Sequence, residues 1–288
     1  MRLLRVATKG LAFAVIIAGY MVAGLLLILL RGHRAQDALT SATARLLVRV
    51  LGLRVLQVDH AQPAPEGVSR LIVANHLGYL DAVTFASIRE VKFVTSIEVR
   101  DSFFLGHLAR LTSCLFVERR SRAGLPAEIR AIATALKTGL SVALFPEGTS
   151  SCGEGVLPFK RPLFEAATLA GKQVDLYCIR YRSIDGKPFG PENRDRVCYY
   201  GDHDFLPNFL GFLAIREAVV EYRYLGALDP RDFGSVSELA SEAHRRISNA
   251  YAGIPESSRL ALELGSLDAF AGGQPALVAG RSAKQKVH

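Results

Sequence analysis

The spacing of apolar positions changes along the chain, and each change marks an element. From Gly10 to Leu30, 21 consecutive residues carry no charge. At about 1.5 Å per residue, a helix of that length just covers a bilayer core of about 30 Å. The pattern predicts an uncleaved anchor that spans the membrane or embeds deeply in it. The rival reading is a cleaved signal peptide, but its apolar stretch runs to only about 7 to 15 residues, and no small-x-small cleavage site follows the stretch before Arg31. Residues 40–53 continue at helical spacing, with Leu46, Leu47, Val50 and Leu51 on one side and Arg45 and Arg49 on the other. Such a helix suits the headgroup level of a membrane or the surface of a folded domain equally well.

Beyond the anchor, short apolar runs alternate with helical patterns. Arg70–Ala74, Val91–Thr95, Cys114–Val117, Ser141–Phe145 and Leu176–Ile179 read as buried strands. Leu125, Ile129, Ile132, Ala133 and Leu136 recur at helical spacing, and Gly139 supplies a stop. A second helix is expected from Pro162 to Gly171. Later, Arg196–Tyr200 and Val219–Leu225 read as strands, and Ser235 with Glu238 forms a capping box for a helix running through Ala252. This alternation predicts an α/β fold, a sheet covered by helices, without deciding between a parallel and a mixed sheet. The expected organisation is an anchor over 1–35, one domain over 36–260 and a loosely ordered tail over 261–288.

Composition narrows the partners. Lys and Arg number 35 against 27 Asp and Glu, a formal charge of +8. Basic residues flank the apolar segment at Arg2, Arg5, Lys9, Arg31 and Arg34 and do not form a lysine-rich arm. That distribution favours lipid headgroups over nucleic acid, and the chain lacks a zinc-finger or basic-zipper pattern. The 4 cysteines, Cys114, Cys152, Cys178 and Cys198, form no C-x-x-C pair or zinc-spaced set, so they read as reduced thiols and no metal site is expected. Asp202-His203-Asp204 reads as a solvated loop, and His107 as a helix-face histidine.

The chemistry starts at the end of the first buried strand, in Ala74-Asn75-His76-Leu77-Gly78-Tyr79-Leu80-Asp81. A separation of five residues does not put two side chains on one helical face. His76 is therefore expected in a turn, with Asp81 in the first turn of a helix reaching back to one ring nitrogen. A carboxylate so placed fixes the imidazole tautomer and leaves the other nitrogen to take a proton from a hydroxyl. No G-x-S-x-G elbow is present, so the hydroxyl belongs to a substrate. Two more strand ends carry polar clusters: Phe145-Pro146-Glu147-Gly148-Thr149, and Phe116-Val117-Glu118-Arg119-Arg120, whose arginines suit a phosphate or carboxylate.

These three blocks, in this order, resemble those of the lysophosphatidic acid acyltransferase family, the glycerolipid or lysophospholipid acyltransferases. The likeness is close over residues 65–185 and weaker to about 225. It implies His76 as base and Asp81 as its partner. It also implies an acceptor headgroup bound by Arg119 and by Phe145, Pro146, Glu147, Gly148 and Thr149, with Lys160 from the following Leu157-Pro158-Phe159-Lys160 stretch. The implied substrates are a lysolipid and an acyl donor, acyl-CoA or acyl carrier protein, with no cofactor. The implied reaction is acylation of 1-acyl-sn-glycerol-3-phosphate to phosphatidic acid. The expected location is the inner membrane, with the domain on the cytoplasmic side where soluble acyl donors are made.

Three departures bear on the acceptor. Ser150 stands where the family usually has Arg, Pro162 where Gly is common, and Tyr177-Cys178-Ile179-Arg180 replaces a Val-Pro-containing strand. Loss of a guanidinium at position 150 makes lyso-ornithine lipid an alternative acceptor, unless Arg120, Arg180 or Arg182 compensates. A thioester or lipid hydrolase and a noncatalytic membrane protein are the remoter alternatives.

Overall fold

The computed structural model describes residues 1–30, 33–59, 63–65, 67–101, 112, 114–118 and 124–253. Arg119, Arg120, His107 and the expected tail lie outside them.

Two helices come first, α1 (Arg2–Leu29) and α2 (His33–Leu51). The α/β part follows: β1 (Leu53–Asp59), β2 (Leu71–Ala74), α3 (Tyr79–Ile88), β3 (Lys92–Ser96), α4 (Ile97–Asp101), β4 (Leu115–Val117), α5 (Leu125–Lys137) and β5 (Val142–Leu144). A 3-10 turn at Pro162–Phe164 leads into α6 (Glu165–Ala170), then β6 (Val174–Ile184), β7 (Lys187–Pro188), α7 (Phe205–Leu213), β8 (Ala218–Leu228) and α8 (Val236–Ala252). The strands form one mixed sheet in the order β1-β8-β6-β2-β5-β3-β4, with β7 at the side of β6. All pairings are parallel except β6 with β8 and β6 with β7, which are antiparallel.

Two cores result from the alternation of side chains along each strand. Leu71 and Val73 point into one core with Val142, Leu144, Leu176 and Cys178, under α5, α6 and α8. Ile72 and Ala74 point into the other with Ala143, Tyr177, Ile179 and Tyr181, under α2, α3 and α7. The expected helix from Pro162 is present and ends at Gly171 in the left-handed conformation (φ 63°), which glycine adopts without strain. Ser235 Oγ accepts the Glu238 N–H (3.2 Å), while the Glu238 carboxylate reaches the Gly234 N–H (3.0 Å), one residue before the cap.

α1 lies along the domain. Val6, Phe13, Ile16 and Met21 pack against the core under α2, α3 and α7, and Ile17, Tyr20 and Gly24 are buried. Arg5 donates to the Ala214 carbonyl (2.8 Å), and Lys9 to those of Leu51 and Ile215 (3.0 Å for the latter). The opposite face of α1, with Leu11, Val15, Val22, Leu25 and Leu29, is exposed. α2 also packs on the domain, burying Ala44, Leu47, Val48 and Leu51 while Leu46 stays outside with Arg45 and Arg49.

One expected strand is absent. Arg196 closes a 3-10 turn (Arg194–Arg196), and 197–200 continues as irregular chain. Its backbone groups bond elsewhere: the Tyr199 N–H to the Leu77 carbonyl (2.9 Å), and the Cys198 carbonyl to Asn208 Nδ2 (2.9 Å). Its apolar residues, Val197 and Cys198, are buried in the core under α2, α3 and α7 and not by a sheet neighbour.

Candidate active site

β2 and β5 are parallel neighbours, so both finish at the same edge of the sheet. The chain leaves β2 into Asn75–Gly78 and leaves β5 into Phe145–Ser151, and these two loops meet. Asn75 extends the β2–β6 ladder with its side chain: Nδ2 donates to the Ile179 carbonyl (2.8 Å), and Oδ1 accepts the Ile179 N–H (2.7 Å). A buried polar residue with both side-chain atoms satisfied in this way fixes the exit of the strand.

His76 follows. Its Nδ1 lies 2.8 Å from Asp81 Oδ2, and the same oxygen accepts the N–H groups of Leu77 (2.6 Å) and Gly78 (3.0 Å). Asp81 is the third residue of α3, and its own N–H returns to the Gly78 carbonyl (3.1 Å). The turn thus caps the helix and aims the imidazole with one carboxylate. Tyr222 on β8 donates its hydroxyl to the Asp81 carbonyl (3.0 Å), bracing the base of the turn. Close approach requires Gly78, because an added Cβ there would meet the Tyr199 N at 2.9 Å.

The Phe145–Ser151 loop grips the same histidine. Glu147 Oε1 accepts the His76 N–H (2.7 Å), and the Ser151 N–H donates to the His76 carbonyl (2.9 Å). The Phe145 ring stacks on the imidazole with centroids 4.2 Å apart and planes 7° from parallel. The His76 side chain is 19% exposed, and Nε2 makes no hydrogen bond to a described residue. The arrangement leaves one nitrogen fixed by a carboxylate and the other facing the open side, the geometry of a general base.

The loop residues divide in two. Glu147 is buried, and its Oε2 accepts the Leu157 N–H (2.9 Å), so both of its oxygens are engaged by backbone. Burial pushes its carboxyl up to about 7; the two N–H donors pull it partly back and the Asp81 charge raises it. Pro146 is buried, with its carbonyl accepting the Lys160 N–H (2.7 Å). Gly148 turns the chain at φ 72°, and an added Cβ would meet Lys160 Nζ at 2.5 Å. Thr149 and Lys160 are exposed beside it. Ser150 donates its hydroxyl to the Tyr199 carbonyl, sewing this loop to the irregular segment that replaced the expected strand.

Of the candidate residues, the fold brings His76, Asp81, Phe145, Pro146, Glu147, Gly148, Thr149 and Lys160 together. Arg119 falls outside the described residues. Of the three arginines named as substitutes for the missing guanidinium, Arg120 lies outside the described residues and the other two are otherwise engaged: Arg180 donates to the Tyr251 carbonyl (2.9 Å) and Arg182 faces the buried Glu221 (3.5 Å). Cys178 is buried and its thiol is pushed up to about 12 by burial, which leaves it unreactive. Sequence reading passed over Tyr199 and Tyr222, which brace the site from a loop and a strand distant in the chain. No local pattern marks either.

Comparison with known proteins agrees with this geometry. The family described as Acyltransferase matches residues 55–182. The lyso-ornithine lipid O-acyltransferase of Brucella abortus is 34% identical over 187 residues, covering 62% of this chain and 69% of that protein. The 1-acyl-sn-glycerol-3-phosphate acyltransferase of Neisseria meningitidis is 32% identical over 139 residues, covering 48% and 54%. The crystal structure of the 1-acyl-sn-glycerophosphate acyltransferase of Thermotoga maritima shares the fold, with a TM-score of 0.63 at 19% identity over 88% of this chain and 97% of that one. The sheet, the two loops around His76 and these likenesses together show that the chain belongs to the lysolipid acyltransferase family.

Proposed function

We propose that this enzyme transfers an acyl group from a thioester to the hydroxyl of a lysolipid, with His76 as general base and Asp81 as its orienting partner. The observation that carries the reading is the contact between His76 Nδ1 and Asp81 Oδ2 at 2.8 Å, in a ring stacked on Phe145 and held by its backbone at both ends. In the reaction, Nε2 takes the hydroxyl proton as the oxygen attacks the thioester carbonyl. The tetrahedral intermediate collapses, the C–S bond breaks and the departing thiolate recovers the proton from the imidazolium. The products are an ester and a free thiol, of coenzyme A or of an acyl carrier protein. Every atom balances without a cofactor.

Thr149 and Lys160, exposed beside Gly148, are the proposed contacts for the headgroup, together with Arg119. For 1-acyl-sn-glycerol-3-phosphate, Lys160 and Arg119 supply the cationic partners of the phosphate. A second acceptor, lyso-ornithine lipid, is favoured by Ser150: its hydroxyl is occupied by the Tyr199 carbonyl, and it offers no guanidinium. An ornithine headgroup is zwitterionic and needs fewer cations. α1 supports a location at the membrane, embedded sideways, since one of its faces is docked along the domain. The supply of thioesters in the cytosol favours the cytoplasmic side of the inner membrane.

The test is acyl transfer from labelled acyl-CoA, and in parallel from acyl carrier protein, by the wild type and His76→Ala, each offered both lysolipids in vesicles. Product from the wild type alone supports the base, and the ratio of the two products identifies the acceptor. Equal activity in His76→Ala would rule out the proposed mechanism.

A further inference from the structure

α7, Phe205-Leu206-Pro207-Asn208-Phe209-Leu210-Gly211-Phe212-Leu213, carries no charged residue. Its inner side is fully committed. Phe212 and Leu213 are buried, and Asn208 donates to the carbonyls of Asp195 and Cys198 (2.9 Å each). Its outer side shows Leu206 and Leu210, 61% and 44% exposed, one turn apart. Two leucines left on a helix face would ordinarily be unremarkable. Their neighbour changes that, because α7 lies side by side with α1: the Phe13 and Phe209 rings are 5.0 Å apart, and the carbonyls of Ala214 and Ile215 that follow α7 accept from Arg5 and Lys9. The exposed face of α1, Leu11 and Val15 included, therefore continues onto α7. A joint surface on which the exposed side chains of α7 are all uncharged, and on which Arg5 and Lys9 turn their charges onto main-chain carbonyls, matches hydrocarbon better than a protein partner, whose interface would carry a polar rim.

We propose that α7 is a second bilayer-contacting element, with Leu206 and Leu210 seated among lipid acyl chains beside α1. The inference rests on the membrane location proposed above. It also links the bilayer to the chemistry. Tyr79 donates its hydroxyl to Asn208 Oδ1 (2.9 Å) and sets its ring edge-on to Phe205 (centroids 5.2 Å), and it follows directly on Gly78 in the His76–Asp81 turn. The lipid surface is thus one side-chain contact from the turn that aims the imidazole, so an acceptor lipid reaches His76 by sliding past α7 without leaving the membrane.

The chain contains 0 tryptophan residues, so a single introduced one reports without background. Leu206→Trp, Val15→Trp and Leu169→Trp each place an indole at an exposed apolar position, the last on α6 over the opposite core. The full-length variants are reconstituted with vesicles of phosphatidylglycerol and phosphatidylethanolamine whose acyl chains are brominated. The expected result is bromine quenching of the indoles at 206 and 15 to a similar degree, several-fold above that at 169. Quenching at 15 but not at 206 would overturn the role of α7 while leaving the membrane reading intact. Blue-shifted emission at 206 without bromine quenching would mean that a second copy of the chain covers this face, and would also overturn it. Absence of quenching at both 15 and 206 would overturn the membrane location and this inference with it.

Discussion

The loops around His76 and the outer faces of α1 and α7 lie on the same side of the sheet, yet they are held by opposite kinds of force. Around His76 the interactions are directional. Asp81 Oδ2 takes three donors, Glu147 takes two backbone N–H groups, and the imidazole is bound at its ring, its N–H and its carbonyl. Along α1 and α7 the exposed leucines and valines have no polar side-chain atom with which to make a directional bond. The difference follows from what each region must meet. A proton in transfer requires a donor and an acceptor aligned within hydrogen-bond reach, and preorganised polar groups supply that alignment. A fluid acyl chain has no fixed position to align with, so non-directional burial suffices.

If that division is right, the largest effect belongs to the ring. His76→Ala should lower acyl transfer by about 10² to 10⁴ with little change in thermal midpoint, since a positioned base contributes about that much. Asp81→Asn should come close to it, because a neutral amide oxygen that takes the place of Oδ2 lacks the charge that fixes the tautomer and stabilises the imidazolium. A His76→Ala enzyme within a factor of three of the wild type would break the comparison outright.

Glu147→Gln probes the carboxylate that holds the His76 N–H in the same region. Burial holds this carboxyl at about 7 against an ordinary 4.5, so between those values the folded chain keeps a proton that the unfolded chain has released. Stability therefore falls as pH rises from about 4.5 to about 7, by at most about 3.5 kcal/mol at roughly 1.4 kcal/mol per unit. Glu147→Gln should flatten that slope in a series of denaturation midpoints, and should lower kcat about 10-fold or more with KM little changed, since the His76 N–H loses an anionic acceptor. Parallel slopes in the two proteins would show that Glu147 does not titrate there.

Leu206→Asp combined with Leu210→Asp addresses the outer surface. Vesicle affinity, read by co-sedimentation, should fall about 10-fold, as loss of partial burial of two leucines is worth at least about 1.4 kcal/mol. The smallest effect is expected of Ser150→Ala, which removes one hydrogen bond to Tyr199 and should cost about 1 kcal/mol in unfolding free energy. The ratio of activities on the two lysolipids in that variant shows whether position 150 bears on the acceptor.

What could be read in advance follows the same division. α5, α6 and α8 were legible because caps and helical spacing are local, and most buried strands because apolar runs bounded by turns are local too. β1 was passed over because Leu53-Arg54-Val55-Leu56 abuts a helix of similar composition. α7 was missed because Pro207 and Gly211 sit within nine residues; the proline falls in the first turn, where its missing N–H costs nothing. The mixed character of the sheet depends on β8 running antiparallel to β6, which no single segment records. In the site, the five-residue spacing of His76 and Asp81 was readable as a turn into a helix. The engagement of Glu147 was not, because its partners are backbone N–H groups of His76 and Leu157, and every residue but proline has one.

The cations on α1 have a consequence for anyone who would re-engineer this enzyme. Arg5 and Lys9 dock on main-chain oxygens of Ala214, Leu51 and Ile215, so the amino-terminal helix is keyed to the domain by position as well as by greasiness. A chimera carrying an unrelated anchor of equal length would still reach the membrane, but it would arrive unkeyed, free to swivel, with its active site no longer obliged to face the lipid it must modify.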